Sequence, residues 1–247
     1  MNSGGSIQEL KRARIAELER VLEDAASLLE DEALAILDNP YVTPRLVSKI
    51  AQTPRLTGLY SVRFKLVAHR HTPQAHAVKL VHYLYWFDLV ILSIDVQVPA
   101  PVRRAIDTQL VARAARLSLG ERISSARRCG AALIKVFLLD PHPRVFESLL
   151  TNNRVREDDI LSLVASDRAT TEQLQMIAGD LKWSYRYAIR KALVLNPATP
   201  RAAAASQLRF LSRSDRRRIH SNPGTSVYLR RCIERLDQQS SAATTRR

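Results

Sequence analysis

The feature that most constrains this chain is an internal register of 127 residues. "VRFKLVAHRHTPQAH", Val62 to His76, lies over "IRKALVLNPATPRAA", Ile189 to Ala203, and the register extends without gaps to either side. Asp31 falls on Asp158, Ile50 and Ala51 on Ile177 and Ala178, Tyr60 on Tyr187, and Arg63 on Arg190. Further along, Leu84 meets Leu211, Asp88 meets Asp215, and Arg103, Arg104 and Ile106 meet Arg230, Arg231 and Ile233. One offset held from residue 31 to residue 106 reads as a tandem duplication. The expected organisation is an N-terminal amphipathic capping helix (1–30), a first repeat unit (31–110), connecting helices (111–157), a second repeat unit (158–237) and a disordered polar tail (238–247).

Each copy is punctuated in the same way. Thr43, Thr72 and Val98 are each followed by proline, and Thr170, Thr199 and Thr225 keep the same spacings. A threonine at the N-cap accepts a bond from an orphan N–H, and a proline at the first helical position loses no bond there. Each of these pairs therefore predicts a helix start. Ser6 with Glu9, Ser118 with Glu121 and Thr170 with Gln173 fit the capping box, and His142–Pro143 opens "RVFESLL". Ile15, Leu18, Leu22, Ala25 and Leu29 recur at helical spacing. No alternating run is long enough for a strand, and only 7 glycines are present. The prediction is an all-α chain, one continuous α-solenoid in which each short helical unit buries its apolar stripe against its neighbours.

"VRFKLVAHRHTP" and "IRKALVLNPATP" resemble the V-R-x-x-x-x-x-N-P-x-T-P core of leucine-rich-repeat-variant and related HEAT-like bacterial repeats, and "LDNPYVTPRLVSKIA" is a version one residue longer. The resemblance covers most of 31–237 and fits poorly over about 111–140. It implies a helical-repeat architecture and leaves function open, since such repeats serve many tasks. Some leucine-rich-repeat-variant proteins carry an iron–sulfur cysteine cluster ahead of the repeats; this chain has no cysteine before Cys129, so that cofactor is not implied.

The formal charge of +14 is uneven: −2 over residues 1–60, +7 over 61–150 and +9 over 151–247. A basic body attracts polyanions or acidic proteins, although arginine outnumbers lysine 31 to 7, a bias that genome composition alone can produce. Cys129 and Cys232 stand in no metal-ligand spacing and read as reduced thiols, which suggests a cytoplasmic protein. The N-terminus carries no charged-then-apolar signal, and the apolar run Leu80–Ile94 is too short for a membrane span and contains His82 and Asp88. It is expected to be buried.

Few residues suggest chemistry. Asp88, Asp215 and Asp159 each stand near the start of a helical segment, where capping and the helix dipole explain them better than acid–base work. His69, His71, His76 and His82 lack the spacing of a metal site. The aromatics of "YLYWF" and "WSYRY" are expected in the core, with base stacking the alternative. The arginines are more telling. Arg103–Arg104 and Arg230–Arg231 occupy one station just inside a helix, where local electrostatics does not call for cations. Arg213, Arg216, Arg217 and Arg218 form a dense run where the first copy has Leu89, Val90 and Ile91, so a buried face in one copy is expected to be exposed in the other. These eight arginines are the candidate anion- or partner-binding residues; no catalytic residue, metal site or cofactor is expected. The leading expectation is a non-enzymatic scaffold for a protein partner, an acidic one being compatible with the charge. The alternative is sequence-nonspecific nucleic-acid binding. A HEAT-like DNA glycosylase is disfavoured, because Trp86 and Asp88 are two residues apart and point to different sides of a helix.

Overall fold

The computed structural model describes residues 3–244, with the side chains of 7–239. Among these residues the chain forms 19 α-helices and one 3-10 helix, and no strand. Its contacts divide it into two compact units, residues 1–117 with 128–133, and residues 118–127 with 134–247. No helix is long and apolar enough to cross a membrane among the described residues.

Most helices are very short, such as Glu30–Leu37, Pro44–Gln52, Tyr60–Ala68 and Gln74–Val81 in the first unit. Helices of this length are unstable alone in water, so packing of their apolar stripes must hold them. In Pro44–Gln52 the buried residues are Leu46, Val47, Ile50 and Ala51, one face at three-to-four spacing. They join Leu18, Leu22, Ile36, Leu56, Val62 and Leu66 in the core of the first unit. In the second unit Val194, Ala204, Leu208, Leu211, Ile219 and Ile233 form a corresponding cluster.

No described residue has positive φ, so no helix ends on a left-handed glycine. A polar turn residue takes over that work. Asn39, His69, Asp95, Asn196 and Asn222 each use a side-chain acceptor to receive the N–H two residues on, at 2.8–3.2 Å. These are Asx-type turns, and His69 Nδ1 imitates the amide oxygen that Asn196 supplies 127 residues later. His69, Asp95, Asn196 and Asn222 all adopt extended backbone, as a residue preceding proline must, although only the two asparagines have proline next. At Asn39 and Asn196, and at Asn152, which receives Arg154 N in the same way, the amide NH2 also reaches across to carbonyls of an earlier segment. Asn39 donates to Leu10 O and Ala13 O, Asn152 to Ala126 O, and Asn196 to Val164 O and Ser166 O, at 2.6–3.0 Å. One side chain thus closes a turn and ties that turn to the segment before it.

Turn length explains which threonines cap. Thr43 and Thr170 are true N-caps, their hydroxyls accepting from Leu46 N and Gln173 N. Thr72 and Thr199 are not. Their turns are one residue shorter, so the N-cap moves to Pro73 and Pro200. The two threonines then take the buried turn position that Val42 and Ala169 fill in the longer turns. Val98 is likewise buried with Pro99 as the cap, and Ser226 rather than Thr225 receives the Leu229 N–H. The Ser118–Glu121 box and the His142 cap form as the sequence predicts.

Two segments differ from expectation. The N-terminal stretch is not one helix: Ser3–Leu10 stops, Ile15–Val21 restarts with Glu17 accepting from Arg14 N, and a 3-10 turn follows. Ser6 therefore sits inside a helix, and its side chain lies outside the described residues. At the other end, Val227–Thr244 continues as helix through most of the segment expected to be disordered; residues 245–247 lie outside the described ones.

Candidate binding surfaces

The matched residues Tyr60 and Tyr187 make the same connection in each unit. The Tyr60 hydroxyl donates to Asp88 Oδ2 and accepts from Tyr85 N at 3.0 Å. The Tyr187 hydroxyl donates to Asp215 Oδ2 at 2.5 Å and accepts from Ser212 N at 3.1 Å. Each tyrosine thereby ties the start of its own helix to the start of a later one. Burial and the Asp88 bond push Tyr60 up to about 12. Asp215 gains a further partner, Lys191, at 2.8 Å. The Lys191 and Tyr187 bonds hold its carboxyl below the usual range. Asp88 and Asp215 are thus structural, but as hydroxyl acceptors instead of N-caps; Asp159 does close a capping box, accepting from Arg156 N.

Beside each tether stands an arginine. Arg63 directs Nε to Thr57 O and Nη2 to Gly58 O, satisfying carbonyls at the end of helix Pro54–Gly58. Arg190 does the same at Ser184 O, the end of helix Leu181–Ser184. Their guanidinium planes lie over aromatic rings at matched positions, Arg63 over Tyr83 at 5.4 Å and Arg190 over Phe210 at 3.9 Å. Arg190 also approaches Tyr185 at 5.5 Å, and Arg209 covers Phe210 at 4.7 Å.

The aromatics divide in a way the sequence does not predict. Trp86 and Trp183 are buried, but Tyr83, Tyr85, Phe87 and Tyr185 are exposed, at 65%, 69%, 47% and 78%. In the first unit Phe87 and Ile91 stand one helical turn apart on Trp86–Ile94, both solvated. Tyr83 and Tyr85, also solvated, stand just ahead of that helix in the chain.

The candidate arginines also separate. Arg104, Arg213, Arg217, Arg218 and Arg231 are exposed. Arg216 is buried and does not face a partner: it donates to Asp237 Oδ1 at 2.7 and 3.1 Å and to Leu211 O at 2.7 Å. The expected exchange of a buried face for an exposed one therefore holds only at Val90 and Arg217. Leu89 and Arg216 are both buried, and Ile91 and Arg218 are both exposed. Three consecutive helical residues point in three directions, so they could not change environment together. Arg103 and Arg230 are half-buried with an unpartnered Nε each; Arg230 Nη2 binds Asn222 O and Pro223 O. Burial pushes Asp107 up, opposed by the neighbouring Arg103 charge.

No described group of three or more His, Cys, Asp or Glu could hold a metal. Of the four clustered histidines, His69 and His71 serve turns: His71 Nδ1 lies 3.1 Å from Val42 O, and burial, then the His71 charge, lowers His69 to about 4. These two line a cavity of about 390 Å3 with Asp38 and Lys65, which pair with each other. Cys129 and Cys232 form no disulfide. No protein-family model, curated protein or solved structure matches the chain.

Proposed function

We propose that this is a HEAT-like helical-repeat protein, an α-solenoid with two copies of a longer unit 127 residues apart, acting as a non-enzymatic scaffold for a protein partner in the cytoplasm. The repeat reading is supported by the matched Tyr60–Asp88 and Tyr187–Asp215 tethers and by the recurring Asx-type turns. The scaffold reading rests on the solvated apolar face of Tyr83, Tyr85, Phe87 and Ile91. Large apolar side chains gathered in water represent free energy recovered only when something covers them. Tyrosine, phenylalanine and arginine together are the composition enriched at protein interfaces, not at small-molecule pockets.

The test replaces this face by its own counterparts, Phe87→Ser and Ile91→Arg. Both sites are exposed, so thermal stability should change by less than about 0.5 kcal/mol. Proteins crosslinked to the wild-type chain in cells should be lost selectively from the double variant, as measured by quantitative mass spectrometry. An unchanged set of crosslinked proteins would sink the scaffold assignment to this face.

A further inference from the structure

From Arg201 to Gln239 the second unit holds nine arginines and three carboxylates. All three carboxylates are occupied: Asp215 by Tyr187 and Lys191, Glu234 by His220 at 2.9 Å, and Asp237 by Arg216. Arg209, Arg213, Arg217 and Arg218 are exposed with no carboxylate in ion-pair range among the described residues. Their field is uncompensated, and an arginine fork fits phosphate oxygens bidentately. The cluster has a second component. Arg190 brings Tyr185 and Phe210 to one guanidinium, and Arg209 stacks on Phe210. The Ser212 N–H bond to Tyr187 starts helix Arg213–Ser221 beside that cluster. Arg213 and Arg217 follow one turn apart on one helix face, and Arg218 flanks that face as the next residue around the helix.

We propose that this surface of the second unit, with Tyr185 and Phe210 as stacking rings and Arg209, Arg213, Arg217 and Arg218 as phosphate ligands, binds single-stranded nucleic acid without sequence preference. Charge alone fits an acidic protein as well. The exposed rings favour a nucleic acid, because every base offers a π-face that stacks on an aromatic ring, whereas a carboxylate pairs with the guanidinium groups and gains nothing from the rings. A single strand is favoured over a duplex because stacked, paired bases cannot reach the rings. The inference is independent of the scaffold reading, which rests on the other unit.

The experiment is fluorescence anisotropy of the full chain with labelled oligo(U), mixed-sequence single-stranded DNA and a blunt duplex, at about 50 and 200 mM salt. Three variants accompany the wild type: Arg213→Gln/Arg217→Gln/Arg218→Gln, Tyr185→Ala, and Phe87→Ser/Ile91→Arg. Single strands should bind at the lower salt and weaken steeply at the higher. The arginine variant should lose affinity on all sequences alike, with a salt slope shallower by about one per phosphate contact removed. Tyr185→Ala should cost about 5- to 100-fold on single strands. The Phe87/Ile91 variant should bind as wild type, which separates this surface from the scaffold face. All substituted side chains are exposed, and thermal melts confirm that each variant is folded. No binding at about 50 mM salt overturns the proposal and leaves an acidic protein as the partner. Equal binding of duplex and single strand, indifferent to Tyr185→Ala, overturns the stacking mode.

Discussion

Helices Trp86–Ile94 and Arg213–Ser221 begin 127 residues apart at the same kind of tether, and their differences separate what that tether requires from what each helix is free to change. Both begin beside a tyrosine hydroxyl that accepts from a backbone N–H and donates a hydrogen bond to an aspartate. Both bury the residue after that aspartate. In the first unit that residue is Leu89; in the second it is Arg216, paired with Asp237. Outside the buried stripe the two part company: Phe87 and Ile91 against Ser214 and Arg218. The tether is held in common, the buried position accepts two chemistries, and the solvated face carries the individuality of each unit.

The comparison can be broken most severely at the buried position. Asp237→Ala strips the partner from an arginine that cannot lose its charge, and it should cost about 2–4 kcal/mol, below the full cost of a deeply buried pair because Asp237 is partly solvated. Arg216→Leu with Asp237→Leu supplies the residues of the first unit, Leu89 and Leu110, and should recover most of that loss. Chemical denaturation of the two variants measures both.

His69 and Asn196 are the next pair. Both supply a turn acceptor, but only histidine can lose that role by protonation. Its folded pKa, about 4, lies below the unfolded value of 6.5, so the unfolded state binds more protons between those values. The stability is present above about pH 6.5 and is lost as pH falls towards 4. The ring is partly solvated, so about 1–2 kcal/mol is expected. His69→Asn should remove that part of the acid dependence, read as the difference in melting temperature between pH 7 and pH 4.5.

The tyrosine tethers should differ by less. Tyr60→Phe leaves Asp88 and the Tyr85 N–H without their partner and should cost about 1–2 kcal/mol. Tyr187→Phe should cost about 0.5–1 kcal/mol, because Tyr187 is more exposed and Lys191 still holds Asp215. Tyr60 also carries a pH signature. Its folded value, raised to about 12 from 10, gives stability that is complete below pH 10 and lost as pH rises through 12. Ultraviolet titration should show this late tyrosine, and Tyr60→Phe should abolish it.

Helix content was legible because proline, capping residues and three-to-four spacing are local signals. Thr43, Thr170, Ser118 and His142 were read correctly for that reason. Thr72 and Thr199 carry the same Thr-Pro pair in a turn one residue shorter, and only the distance back to His69 or Asn196 reveals that the cap has shifted. The candidate site was harder to read. Arg216 looks like its neighbours in sequence; its burial depends on Asp237, 21 residues away, at the last position before a polar segment that reads as a disordered tail. The exposure of Tyr83, Tyr85 and Phe87 was hidden because an apolar run does not say which of its residues faces inward. The spacing between Phe87 and Ile91 was the available clue.

The turn asparagines have one more consequence. Deamidation of asparagine proceeds when the following backbone nitrogen, stripped of its proton, attacks the side-chain carbonyl and closes a succinimide. Asn39, Asn196 and Asn222 are each followed by proline, which has no such proton to lose. These three asparagines are therefore shielded from the commonest route of spontaneous amide decay, and their turns should age more slowly than the one closed by Asn152, which Asn153 follows.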